Sequence, residues 1–154
     1  MSGREPFAGF GPPGLVVRSC RVAEAELAHL HPSEALWAAG VPRHRRLASA
    51  AGRIAASRAQ ADLGVVPAPV SALASGAPVW PPGLVGSIAH DDFLAVAACG
   101  FAEVYEAVGI DVEPPEPLPQ DLWHLVASEQ ERAAAREDGL ALRTLFVVKE
   151  AVYK

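Results

Sequence analysis

An alanine-rich helical pattern runs through residues 42–64, PRHRRLASAAGRIAASRAQADLG. Pro42 opens it and Gly64 closes it, which are the residue types favoured at the first turn and just past the end of a helix. Small apolar residues recur inside it at roughly helical spacing. The residues on its polar side are Arg45, Arg46, Arg53 and Arg58. This side either faces solvent or holds a polyanionic small molecule, since arginine forks match phosphate oxygens.

Shorter elements are predicted on both sides of this helix. Before it, residues 32–40, PSEALWAAG, are typical of a short helix or turn. After it, residues 93–100, FLAVAACG, are typical of a buried strand, and a turn at residues 100–103 leads into residues 104–113. We predict that residues 104–113 form the second strand of a hairpin.

Helical signals return near the C-terminus. Prolines form a stiff connector within residues 114–119, and SEQE at residues 128–131 fits a capping box that opens a helix. The final helical pattern is ALRTLFVVKEAVYK, residues 141–154.

Composition narrows the class of protein. The chain has 154 residues, 51% hydrophobic and 20% charged, with a net charge of -5, which suits one packed domain or two small lobes and no polybasic nucleic-acid binder. Cys20 and Cys99 have no metal-ligand spacing and make no disulfide framework, so cytoplasmic residence is expected. Residues 63–90 carry no Asp, Glu, Lys or Arg, but five prolines and four glycines argue against a membrane span.

Two acids stand one residue apart in residues 107–117, AVGIDVEPPEP. If this segment is a strand, Asp111 and Glu113 point to the same side of it. Carboxylates brought together repel unless a cation lies between them, and hard oxygen ligands favour magnesium. The alternative is a strand whose acids face water.

Two further groups carry candidate chemistry. Glu150 and Lys154 lie four residues apart, on one side of the terminal helix, either as an exposed ion pair or as a third metal ligand with an ammonium for phosphate oxygens. In residues 86–92, GSIAHDD, Ser87 and His90 are either structural groups or donors to an anion.

Taken together and in this order, the motifs resemble those of the 4′-phosphopantetheinyl transferase superfamily, above all its siderophore-type branch, that of enterobactin synthase component D. The matching stretches, in chain order, are AGRIAA at 51–56, PVWP at 78–81, GSIAH at 86–90, VGIDVE at 108–113 and FVVKEAVYK at 146–154. The chain lacks the P-loop GxxxxGK[ST], which weakens the alternative of another magnesium-dependent nucleotide enzyme.

The resemblance implies a holo-carrier-protein synthase. Such enzymes move the phosphopantetheine arm of coenzyme A to a serine of an apo-acyl or peptidyl carrier protein and release adenosine 3′,5′-bisphosphate. It implies Mg²⁺ as cofactor, coenzyme A as co-substrate, a role in siderophore or other nonribosomal peptide synthesis, and a cytoplasmic monomer with no nucleic-acid or membrane partner. The alternative is a truncated remnant that binds coenzyme A or the carrier without transfer.

The resemblance also implies roles for single residues. The metal ligands it implies are Asp111, Glu113 and Glu150. The catalytic groups it implies are Glu150, as base, and Lys154, near the transferred phosphate. The groups it implies for coenzyme A are Arg46, Arg53, Ser87, His90, Lys149 and Lys154.

The resemblance implies an α+β fold built as two pseudo-symmetric lobes, here residues 1–104 and residues 105–154. Family members usually continue for several dozen residues beyond the KEA motif, so the second lobe is expected to be incomplete. Ala89 stands where the family usually has Ser or Thr before the histidine, which removes one expected donor to coenzyme A.

Overall fold

The structure is a computed structural model that describes residue 7 and residues 11–154. Five strands and five α-helices are found in this part of the chain. The strands are β1 Leu15–Arg21, β2 Ser71–Ala72, β3 Pro78–Val79, β4 Leu84–His90 and β5 Leu94–Phe101. The helices are α1 Pro32–Gly40, α2 Arg43–Asp62, α3 Trp123–Val126, α4 Glu129–Ala134 and α5 Gly139–Tyr153. The α+β class predicted from the sequence is confirmed.

A three-stranded antiparallel sheet packs against α2. Its strand order is β1-β5-β4, with Val17 opposite Ala98 and Ile88 opposite Ala97. The central strand β5 is buried from residue 95 to residue 100, because it has a neighbour on each edge and a helix on one face. Strands β2 and β3 form a separate two-stranded ribbon.

Small residues on α2 allow it to approach the sheet closely. Five of its alanines are fully buried, namely Ala50, Ala51, Ala55, Ala56 and Ala59. At Gly52 a β-carbon would lie only 2.7 Å from Cγ2 of Ile88, so a larger residue there would push helix and strand apart. The predicted helix over residues 42–64 is therefore confirmed, and its alanine face builds the main core.

The cap of α1 ties that helix to the loop after α2. His31 caps the helix, and Glu34 returns a carboxylate oxygen to the His31 backbone N–H at 3.1 Å. The other Glu34 oxygen accepts the backbone N–H of Val70 at 2.8 Å. This buried carboxylate thus links the N-terminus of α1 to the loop that follows α2.

A second and smaller cluster holds the C-terminal helices. Leu118, Ala127 and Leu142 are its buried residues. Ser128 and Glu131 form the predicted capping box of α4, and Asp138 caps α5 through the N–H groups of Leu140 and Ala141. None of the helices within residues 11–154 is long and apolar enough to cross a bilayer.

The predicted strand over residues 104–113 is wrong. This segment is a turn followed by irregular chain, and it pairs with no strand. The reason is that β1 and β4 already pair with the two edges of β5, so no edge remains for a hairpin partner. Asp111 and Glu113 therefore do not share the face of a strand.

Candidate active site

An open cleft of about 420 Å³ lies where α1, α2, β4 and the last residue of the chain meet. Its basic groups come from distant parts of the sequence and are Arg45, Arg53, His90 and Lys154. Trp37 of α1 and Ser49 of α2 line the same cleft. The fold thus collects cationic and hydrogen-bonding groups on one concave surface, which suits an anionic ligand.

The cations of the cleft act on His90. Burial lowers the pKa of this imidazole, and the charges of Arg45, Lys154 and Arg53 lower it further. The ring is therefore neutral near pH 7. A bound anion would offset these charges and favour the protonated form.

Arg53 is the most buried of the basic groups, with 6% of its surface exposed. Burial lowers its pKa, and the nearby carboxylate of Glu34 opposes that effect. Its Nε and Nη2 atoms are buried and have no hydrogen-bond partner among the described residues. Buried N–H donors without partners destabilise a protein, so this guanidinium is suited to an anion that accepts hydrogen bonds from both.

A buried carboxylate adjoins the cationic wall. Asp111 pairs with the ammonium of Lys154 through Oδ1, and only 7% of its side chain is exposed. Its other oxygen, Oδ2, is buried without a hydrogen-bond partner in residues 11–154. A carboxylate oxygen without a hydrogen-bond partner is available to coordinate a hard cation.

Glu113 lies near this carboxylate and pairs with Arg143 at 3.0 Å. Burial raises the pKa of Glu113, Arg143 lowers it, and the charges of Asp111 and Asp91 raise it again. The two acids singled out in the sequence are therefore close enough to interact, although no strand brings them together.

Gly109 explains how the acidic segment reaches the terminal helix. A β-carbon at this position would overlap the carbonyl oxygen of Ala151 in α5. Only glycine permits this approach, and it brings Asp111 to Lys154. The glycine of the GIDVE motif is thus a packing requirement of the site.

Two family models match the chain. The model described as "4'-phosphopantetheinyl transferase N-terminal domain" matches residues 32–100, and the one described as "4'-phosphopantetheinyl transferase superfamily" matches residues 107–154. The cleft takes its residues from both regions.

The chain belongs to the 4′-phosphopantetheinyl transferase superfamily.

Named relatives agree with this membership. The 4′-phosphopantetheinyl transferase Npt of Nocardia iowensis is 36% identical over 80% of this chain and 57% of its own length. The transferase Svp of Streptomyces mobaraensis is 37% identical over 81% of this chain and 53% of its own. Enterobactin synthase component D of Salmonella typhi is 31% identical over 97% of this chain and 63% of its own. The chain thus spans less than two thirds of the length of these transferases.

Three of the predicted site residues meet at the cleft of this superfamily member, namely Arg53, His90 and Lys154. Three others lie elsewhere. The Arg46 guanidinium donates to the carbonyl oxygens of Ala39 and Val41 at the end of α1. Lys149 donates to the Val126 carbonyl and to Glu131, and Ser87 is buried within β4. Their predicted contacts with coenzyme A stay predictions.

The predicted trio of metal ligands is not assembled. Among the described residues, no group of three or more His, Cys, Asp or Glu lies close enough to hold a metal ion. Lys154 and Arg143 instead neutralise Asp111 and Glu113, while Glu150 is partly buried on α5. The ligand roles of these three carboxylates stay predictions.

Sequence reasoning placed Arg45 on a possible polyanion-binding side of the helix without assigning it to coenzyme A, and it missed Trp37. A signal for Arg45 was present, because residues 45, 49 and 53 are spaced four apart and form one stripe of a helix. Nothing local marks Trp37, since its place on the cleft depends on how α1 packs on α2.

Proposed function

We propose that the protein to which this chain belongs transfers the 4′-phosphopantetheine arm of coenzyme A to a serine of an apo-carrier protein. Adenosine 3′,5′-bisphosphate is the second product. The observation that carries the proposal is the convergence of Arg45, Arg53, His90 and Lys154 on one cleft, beside the buried carboxylate of Asp111. Coenzyme A is polyanionic at its nucleotide end and at its diphosphate, and the superfamily membership supports the same substrate.

In this proposal the groups from α2 and β4 bind the nucleotide end. Arg45 and Arg53 offer forks of N–H donors to phosphate oxygens, and His90 gains a proton as an anion approaches. Binding energy from this remote end orients the diphosphate at the reacting end of the cleft.

Lys154 lies at the reacting end. Its ammonium contacts Asp111 and lines the cleft, so it can stabilise negative charge on the diphosphate oxygens as the bond to phosphorus breaks. The carrier serine is the nucleophile, and Glu150 is our candidate for the base that removes its proton.

The carboxylates fit Mg²⁺ in donor chemistry. Asp111, Glu113 and Glu150 would hold it, and the unpartnered Oδ2 of Asp111 supports that assignment. Bound there, the ion would neutralise charge on the diphosphate oxygens.

We also propose two lobes, residues 1–104 and residues 105–154. The partner is an acyl or peptidyl carrier protein in the cytoplasm, and the protein acts as a monomer without nucleic-acid or membrane partners.

One observation favours a second candidate function, which is binding of coenzyme A or the carrier without transfer. Lys154 and Arg143 already neutralise Asp111 and Glu113, so the acids are not arranged as a metal site.

The test is a transfer assay. Purified protein is mixed with MgCl₂, coenzyme A and an apo-peptidyl carrier protein, and the carrier is weighed by mass spectrometry. We expect the carrier to gain the mass of phosphopantetheine, and Asp111→Asn to abolish this gain while the circular dichroism spectrum is kept. The matched control is Asp121→Asn, at an exposed carboxylate away from the cleft.

The outcomes separate the candidates. Coenzyme A binding without any gain in carrier mass would favour the binding function. Failure to bind either coenzyme A or the apo-carrier protein would overturn both candidate functions.

A further inference from the structure

The indole of Trp37 lies against the guanidinium of Arg53 on the wall of the cleft. Cζ of Arg53 is 4.0 Å from the centre of the Trp37 ring, well within the range of a cation–π contact. The two residues belong to different helices, α1 and α2, so this contact is made by tertiary packing. Both side chains line the cleft.

The free donors of Arg53 lie on one edge of its guanidinium. Nε and Nη2 are the two atoms without partners, and together they form the fork that matches two oxygens of one phosphate. The Trp37 ring lies over Cζ of the guanidinium and accepts no hydrogen bond from the two N–H groups on this edge. The contact with Trp37 therefore restricts the plane of the fork without using its donors.

Glu34 does not hold the Arg53 guanidinium in its orientation. It lies close enough to raise the pKa of Arg53, but its oxygens accept the backbone N–H groups of His31 and Val70. Glu34 thus supplies charge to the region of Arg53, while the ring of Trp37 contacts the guanidinium itself.

We propose that Trp37 is a positioning residue for the anionic ligand of this cleft. Its ring fixes the orientation of the Arg53 fork so that Nε and Nη2 meet the polyanionic end of coenzyme A. This inference rests on the proposed function and adds a residue that acts through Arg53 and not through the reacting atoms.

The test compares Trp37→Met with Trp37→Phe. Methionine keeps a long apolar side chain without a ring, whereas phenylalanine keeps an aromatic face. The Kd values for coenzyme A and for adenosine 3′,5′-bisphosphate are measured by calorimetry, and KM and kcat by the transfer assay. We expect Trp37→Met to raise both Kd values, and KM for coenzyme A, about tenfold. Its kcat should stay within about twofold of that of the unmodified protein. Trp37→Phe should keep most of the affinity.

A matched control and a double mutant separate positioning from general damage. Leu36→Ala alters the neighbouring residue of α1, which is 79% exposed, and should leave Kd unchanged. In an Arg53→Gln background, Trp37→Met should weaken binding by no more than about twofold further, because the group that it orients is gone.

Two results would overturn the inference. One is an unchanged Kd in Trp37→Met. The other is that Trp37→Met weakens binding about tenfold in the Arg53→Gln background as well. If Trp37→Met is unfolded, the comparison of Trp37→Phe with Trp37→Leu decides in the same way. Absence of coenzyme A binding by the unmodified protein would instead count against the proposed function.

Discussion

The imidazole of His90 lies among cations from α2 and from the last residue of the chain. Arg45, Arg53 and Lys154 each disfavour its protonated form, and burial disfavours it most. The ring is consequently a neutral group in the free protein. Its protonation must be coupled to whatever brings negative charge into the cleft.

At this scale we predict a pH-dependent stability that His90→Gln removes in part. The folded-state pKa of His90 is below the ordinary value of 6.5, so the unfolded chain takes up the proton first as the pH falls. The effect of His90 on the free energy of unfolding is absent above about pH 6.5. Below that pH it destabilises the fold progressively, down to the folded-state pKa. Urea unfolding between pH 8 and pH 5 should show a smaller loss of stability for His90→Gln than for the unmodified protein.

The control for this prediction is His124→Gln, at an exposed histidine of α3. It should follow the pH dependence of the unmodified protein. If His90→Gln follows the same curve, the surroundings of His90 do not lower its pKa.

Helix α5 and the irregular segment before the prolines act as a pair of elements. Gly109 lies against the backbone of Ala151, Asp111 contacts Lys154, and Arg143 contacts Glu113. These contacts hold an irregular segment in place although it has no strand partner. The position of the acids therefore depends on a helix that begins some thirty residues later in the chain.

At the element scale we predict that Gly109→Ala separates this pair. The new β-carbon would overlap the Ala151 carbonyl, which is backbone and cannot rotate away. Relief of such overpacking costs about 1–3 kcal/mol of stability. It should also move Asp111 from Lys154, so transfer to a carrier protein should fall sharply, as measured by carrier mass.

Gly40→Ala is the matched control for that change. Gly40 ends α1, and a β-carbon there meets nothing within 4 Å. This variant should unfold at the same or a slightly higher urea concentration. Equal stabilities of Gly109→Ala and the unmodified protein would show that the segment does not pack on α5 as described.

Two cores of unequal size are found in the part of the chain that the structure describes. Eleven of the twenty residues of α2 are buried, whereas Leu142 is the one buried residue of α5. Stability scales with the apolar surface removed from water, so the two parts differ in local stability.

At the scale of the molecule we predict that α5 opens before the sheet. Native-state hydrogen exchange should give the largest opening free energies for amides of α2 and β5, and clearly smaller ones for α5. Addition of coenzyme A should slow exchange near Lys154, because a ligand that binds the closed form stabilises it. Equal opening free energies for α5 and β5 in the free protein would contradict the two-core description.

Local sequence patterns predicted α1, α2, α5 and the capping box of α4. Such elements depend on hydrogen bonds and side chains within four residues of each other, so a short stretch contains their information. The family motifs likewise identified Arg53, His90 and Lys154 as candidate binding residues. The strand over residues 104–113 failed because strand pairing depends on which edges distant strands have already taken.

The amino-acid order alone is enough to indicate helices α1, α2, α4 and α5, the buried character of β5 and the types of group available to bind an anion. Which of these groups meet depends on the tertiary structure. It turned Arg46 to the end of α1, brought Trp37 onto Arg53, and neutralised Asp111 with Lys154. The two differ because helices form from contacts near in sequence, whereas a binding cleft forms from packing between elements that are far apart in the sequence.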